Sequence, residues 1–256
     1  MKKLLAAAAG ALALGLAAPA SAADLAARPY VKAPPPMVAA IYDWSGFYIG
    51  GNGGYGTTRN CWGFASFAGV PFTDGEGCHN SDGAVAGGQI GYRWQSASWV
   101  FGLEAQGDWA DLTGSRVSSP AFVFAPGDLT INSRLRAFGL FTGQIGYAWN
   151  NTLLYVKGGA AVVDDRYSHT FTPTNTLINS TTDTRWGATV GVGLEYGFAP
   201  NWSVGVEYDH IFLDHRTLSF TAAPLGVATT NSISQDVDTV TARINYRFGG
   251  PSIARY

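Results

Sequence analysis

The stretch "NWSVGVEYDH" at residues 201–210 separates into two faces when read at a period of two. Trp202, Val204, Val206 and Tyr208 lie on one face, and Ser203, Gly205, Glu207 and Asp209 on the other. Only a β-strand with one apolar and one polar side uses such a pattern. The pattern recurs: Ile90, Tyr92 and Trp94 oppose Gln89, Gly91 and Arg93, while Phe141, Ile145, Tyr147 and Trp149 oppose Thr142, Gln144 and Gly146. Trp186, Val190, Val192, Leu194, Tyr196 and Phe198 oppose Arg185, Thr189 and Glu195, and Val240, Ala242, Ile244, Tyr246 and Phe248 oppose Thr241, Arg243, Asn245 and Arg247. Strands are expected near 44–55, 83–94, 99–110, 134–149, 153–164, 184–198, 202–213 and 237–248.

The connections constrain the fold further. Residues 95–98, 150–152 and 199–201 leave room only for tight turns, whereas 56–82, 111–133, 165–183 and 214–236 are long and rich in Ser, Thr, Asn, Gly and Pro. Eight strands with every long connection at one end predict an all-β, eight-stranded antiparallel transmembrane β-barrel with short periplasmic turns and longer outer loops. A soluble barrel alternates too, but with its apolar face inward. The aromatics decide between them: Trp94, Trp99, Trp149, Phe198, Trp202 and Phe248 fall at strand ends beside the short turns, as an interfacial girdle does.

A repeat follows from the same geometry. "GGQIGYRW" at 87–94 returns as "TGQIGYAW" at 142–149, with echoes in "VGLEYGF" at 192–198 and "TARINYRF" at 241–248. Each copy is read as the end of a strand descending to the periplasmic interface, with its Gly and Gln inward and its Tyr and Trp at headgroup depth.

Lys2-Lys3, the apolar run Leu4 to Ala18 and the stretch Ala20-Ser21-Ala22 read as a signal peptide over 1–22. Pro34-Pro35-Pro36 marks a periplasmic linker over 23–43. The barrel is expected over 44–248 and a short tail over 249–256. The formal charge is −2, and −4 once Lys2 and Lys3 leave with the signal, so no cationic field recommends nucleic acid as a partner. Cys61 and Cys78, two cysteines in an exported chain, are read as a disulfide restraining one loop.

The polar face is expected to carry a structural lumen network: Arg93, Arg134, Arg136, Lys157, Arg185, Arg243 and Arg247 against Glu104, Asp108, Glu195, Glu207 and Asp209. Eight strands enclose a space that side chains just fill, so interleaved charges are read as mutually satisfying pairs rather than as an acid–base couple. His79 and His169 are placed in loops, and His210 and His215 beside the fourth loop. Four scattered histidines give neither a metal-ligand spacing nor a catalytic cluster, so no catalytic residue, metal or cofactor is expected.

The opening strand "WSGFYIGGNGGYG", the repeated "GQIGYxW" and the closing "ARINYRF" resemble the small outer-membrane proteins of alphaproteobacteria, the major surface antigens of brucellae and their rhizobial relatives. The resemblance implies a barrel anchored in the outer membrane of a Gram-negative bacterium, with variable surface loops. It also implies outer-membrane lipid and lipopolysaccharide as surroundings and the barrel-assembly machinery as a partner during biogenesis. The role expected is structural, in envelope integrity and surface presentation. The alternatives are a porin-like channel for small solutes or ions, and an adhesin or haem receptor acting through the loops toward a host or surface ligand. Family members commonly end at the aromatic of the last strand, whereas "GGPSIARY" follows Phe248 here, so either Phe248 or Tyr256 serves as the assembly signal.

Overall fold

A computed structural model describes residues 42–67, 70–71, 75–118, 128–222 and 227–249. The expected signal peptide, the linker as far as Ile41 and the tail beyond Gly249 lie outside the described residues. The strands are β1 (Gly46–Phe67), β2 (Val70–Pro71), β3 (Gly75–Ser96), β4 (Trp99–Ser118), β5 (Leu129–Trp149), β6 (Thr152–Phe171), β7 (Thr176–Ala199), β8 (Trp202–Ala222) and β9 (Val227–Phe248). Each pairs antiparallel with its neighbour, and β9 returns to pair with β1 along its length, from Phe47↔Phe248 to Phe67↔Thr229. The ring closes through eight strands, and β2 is a two-residue addition to the far end of β1.

At the short-turn end β3–β4, β5–β6 and β7–β8 are joined by residues 97–98, 150–151 and 200–201. Ala97 and Asn150 take the left-handed conformation that such tight hairpins demand. The opposite end differs from the sequence expectation. The segments read as long loops are mostly strand: β6 runs on to Phe171 and β7 starts at Thr176, so a four-residue turn replaces a loop expected over 165–183. The wall strands are 20–24 residues long, about twice the 9–11 residues that cross a bilayer. Beyond the membrane an outward side chain need not be apolar, so the alternation that signals a strand fades while the backbone ladder continues.

The outer face fits this division. On β4 the exposed Trp99 and Trp109 bracket residues 99–109, about the 9–11 residues of a crossing strand. Between and beside them Leu103, Phe141, Ile145, Val156, Val190, Val192 and Leu194 face outward. Near the turns, Trp99 meets Tyr147 edge-on at 5.6 Å and Trp202 meets Tyr246 at 5.0 Å. Trp109 and Trp186, 77% and 62% exposed, mark the upper edge of this apolar belt.

Cys61 and Cys78 form a disulfide between directly paired positions of β1 and β3. It therefore ties two strands above the belt.

Candidate functional site

The interior is layered. At the short-turn mouth Tyr42, Trp44, Val100, Ala148, Leu153 and Tyr155 form an apolar cluster. Trp44 donates its backbone N–H to Gln95 Oε1 at 2.9 Å, and the Arg247 guanidinium lies over the Tyr42 ring at 5.5 Å. Gly197 makes room for that ring, since a Cβ there would come within 2.3 Å of it. Tyr42, assigned by sequence to the linker, is thus part of the barrel interior.

Above this cluster lies a charged layer. Lys157 Nζ is 2.7 Å from Glu207, 3.2 Å from Asp209 and 3.5 Å from Glu104. Arg243 pairs with both Glu104 and Glu207. The Tyr48 hydroxyl donates to Glu104 at 2.6 Å and accepts from Gln144 at 3.0 Å, while the Tyr155 hydroxyl donates to Glu207 at 2.5 Å. Arg93 pairs with Glu195 at 2.9 Å and stacks over the Tyr48 ring at 4.5 Å. Tyr48, Arg93, Glu104, Gln144, Lys157, Glu195, Glu207 and Arg243 come from β1 and from β3 to β9 in turn. Every wall strand contributes a member, so the network ties the wall together across its lumen. In water such pairs contribute little; in this confined space each charge needs its partners, because an uncompensated buried ion is strongly unfavourable.

The third layer is apolar. Val85, Leu112, Leu135, Phe138, Leu140, Ala161, Val163, Ile211, Leu213 and Val237 are buried inside the ring and pack together. The sequence reading did not anticipate it. Its signal is present in "IFL" at 211–213 and "AAVV" at 160–163, where both strand faces are apolar because one meets lipid and the other a core.

A second polar cluster lies beyond it. Arg185 binds Asp165 at 2.8 Å and the Tyr167 hydroxyl at 2.6 Å, and Gln235 joins both Tyr167 and Asp165. Arg185 is therefore inside, but separate from the network of Glu104 and Lys157.

Arg136 and Arg134, expected in the lumen network, lie outside it. Both point outward: Arg136 pairs with Asp164 at 2.6 Å and Arg134 with Asp111 at 2.9 Å, and all four side chains are at least partly open to the surroundings. The cause is an irregularity in β5, where the pairing with β6 shifts between Leu135 and Ala137. A bulge resets the alternation, so Leu135 and Phe138 both face inward while Arg136 between them does not.

The histidines belong to strands rather than loops. His79 on β3 shares a hydrogen bond with Ser133 Oγ at 3.2 Å, His169 lies on β6 opposite Ile131, and His210 on β8 meets Asp238 at 2.7 Å. Among the described residues no group of His, Cys, Asp and Glu is arranged to hold a metal ion.

The family and the relatives that the sequence matches agree with this architecture. The family model described as "Outer membrane protein beta-barrel domain" matches residues 8–248. The 31 kDa outer-membrane immunogenic protein of Brucella melitensis is 28% identical over 229 residues, covering 85% of this chain and 89% of that one. The 22 kDa outer membrane protein of Rhizobium leguminosarum bv. viciae is 29% identical over 175 residues, covering 64% of this chain and 62% of that one. Among solved structures, outer membrane protease OmpT from Escherichia coli aligns with 12% identity and a TM-score of 0.49, covering 79% of this chain and 97% of the protease.

Proposed function

Starting from the fact that the chain belongs to the outer membrane protein β-barrel family, we propose that it is a structural barrel of the outer envelope, without enzymatic activity. In this reading its lumen is plugged, and its strand arms above the bilayer present a polar surface to the outside. The observation that carries the proposal is the sequence of layers in the lumen: a charged network with a member on every wall strand, overlain by an apolar core. An ion entering from the short-turn mouth meets Trp44 and Tyr42, then fixed charges already engaged with one another, then side chains that offer it no ligand. Eight-stranded barrels have interiors that side chains fill. The description of the Brucella relative as immunogenic supports surface presentation.

Single-channel recording of the refolded full chain in planar bilayers tests the plug. Wild type should give no steady openings, and Glu104→Ala should give brief, small events. Large, steady openings of the wild type would replace this reading with that of a small-solute or ion channel. For the envelope role, a deletion strain should become more sensitive to detergent, and the wild-type copy should restore resistance.

A further inference from the structure

We propose that the outer face of the barrel carries a binding groove for the phosphate of an outer-leaflet glycolipid, built on Arg134 and Arg166. These two arginines are direct partners in the β5–β6 ladder. Both are exposed, while Ser133, Leu135, Asp165 and Tyr167 on either side of them are buried, so both guanidinium groups leave the outward face together. Like charges placed directly opposite on adjacent strands are unfavourable. An anion lying between them would relieve that repulsion.

The neighbouring carboxylates do not supply that anion in full. Asp111 takes Arg134 and Asp164 takes Arg136, whereas among the described residues no carboxylate forms an ion pair with Arg166. The outward patch of β4, β5 and β6 thus holds three arginines against two aspartates. Around the pair opens a groove of about 530 Å³ lined by Thr113, Ser115, Asn132, Arg134, Arg166 and Ser168, with Leu177 at its side. Two guanidinium forks with hydroxyl and amide donors around them suit a phosphate group, which accepts several charge-assisted hydrogen bonds at once.

Height along the barrel selects the source. Thr113, the partner of Arg134, lies four residues beyond Trp109 on β4, and Arg166 lies four residues beyond Val162, the partner of Trp186. Trp109 and Trp186 close the apolar belt, and interfacial aromatics sit at the level of the headgroups. The groove therefore opens just above that level and on the lipid-facing side of the wall, where phosphate borne by an outer-leaflet glycolipid meets it while the acyl chains lie against Trp109 and Phe141. The groove belongs to the outer face alone, so it is independent of whether the lumen conducts.

The test is retention of diphosphorylated lipid A by the purified full chain in detergent, read by native mass spectrometry, with dephosphorylated lipid A and inorganic phosphate as the other probes. Arg166→Gln should lower retention of the diphosphorylated lipid about tenfold, the loss of one hydrogen bond to a charged group. Arg166→Lys, which keeps the charge but not the fork, should fall between. Arg59→Gln, at an exposed arginine on β1, should retain the lipid as wild type does. Replacing Arg166 relieves a like-charge pair, so both variants should keep heat-modifiable migration on gels. Equal retention by Arg166→Gln and wild type, equal retention of dephosphorylated lipid, or an equal loss in Arg59→Gln would overturn the site. Full displacement by millimolar inorganic phosphate would show a soluble-anion site and overturn the lipid assignment.

Discussion

The barrel holds two sets of ion pairs, each made of carboxylates and basic side chains on overlapping strands. In the inner set, Glu104, Lys157, Glu207 and Arg243 have side chains 1% exposed and share one another as partners. In the outer set, Arg134 and Asp111 are 55% and 63% exposed and pair only once. Distances barely separate them: 2.7 Å for Lys157–Glu207 against 2.6 Å for Arg136–Asp164. What differs is the surroundings. A charge in the lumen has only its neighbours, so each pair acts as a strut, whereas a charge on the outer collar can exchange its partner for water or a headgroup.

The largest effect is expected inside the lumen. Glu104→Ala leaves Arg243 and Lys157 short of a carboxylate and should cost about 3–5 kcal/mol, seen as a large drop in the urea midpoint of the refolded barrel. A loss as small as that of a surface pair would mean that water reaches the lumen. Next in size, Ile145→Arg or Val192→Arg should cost about 2–4 kcal/mol if placed near mid-bilayer. Its readout is the fraction inserted in lipid vesicles, and normal insertion would reverse the assignment of faces. Replacing both Cys61 and Cys78 by Ala should cost at most about 3 kcal/mol, since the link closes a short loop; the unfolding midpoint of the variant against oxidised wild type measures it. Smallest of all, Arg136→Ala should cost about 0.2–1 kcal/mol, in the same urea titration. If Arg136→Ala matched Glu104→Ala, the distinction between the two sets would fail.

Much of the wall was legible from the chain because alternation reports directly on faces: Glu104, Lys157, Glu195, Glu207 and Arg243 follow from parity within single strands. Parity fails where the backbone departs from regular pairing. The bulge at Leu135–Ala137 leaves no mark in the residue types, so Arg136 was carried to the wrong side. Strand ends failed for a different reason. Around Ser168–Phe171 and Thr176–Thr181 both faces are polar or mixed, since neither meets lipid, and a hydrogen-bonded hairpin there reads as a loop. The apolar layer around Phe138 and Leu140 was overlooked because a strand apolar on both faces loses the contrast that parity depends on. Which carboxylate meets which cation is set by register around the ring, and register is a property of eight strands together rather than of one.

The contact between Arg247 and the residues ahead of β1 bears on how the ring is made. Arg247 donates to the carbonyl of Ser45 at 3.0 Å across a sequence separation of 202, and it covers Tyr42 inside the mouth. The entropic penalty of so long a closure grows only logarithmically with length, but such distant pairings form late. The β1–β9 seam is therefore expected to be the last ladder to zip, and Tyr42 and Trp44 lie inside the mouth that it closes. Once shut, the mouth and the seam share the same residues, so unzipping the ring from that end must first extract an aromatic wedge. A barrel built this way is held by a latch on the side where its two ends meet, and its lifetime in the membrane would be set there by a rate rather than by an equilibrium.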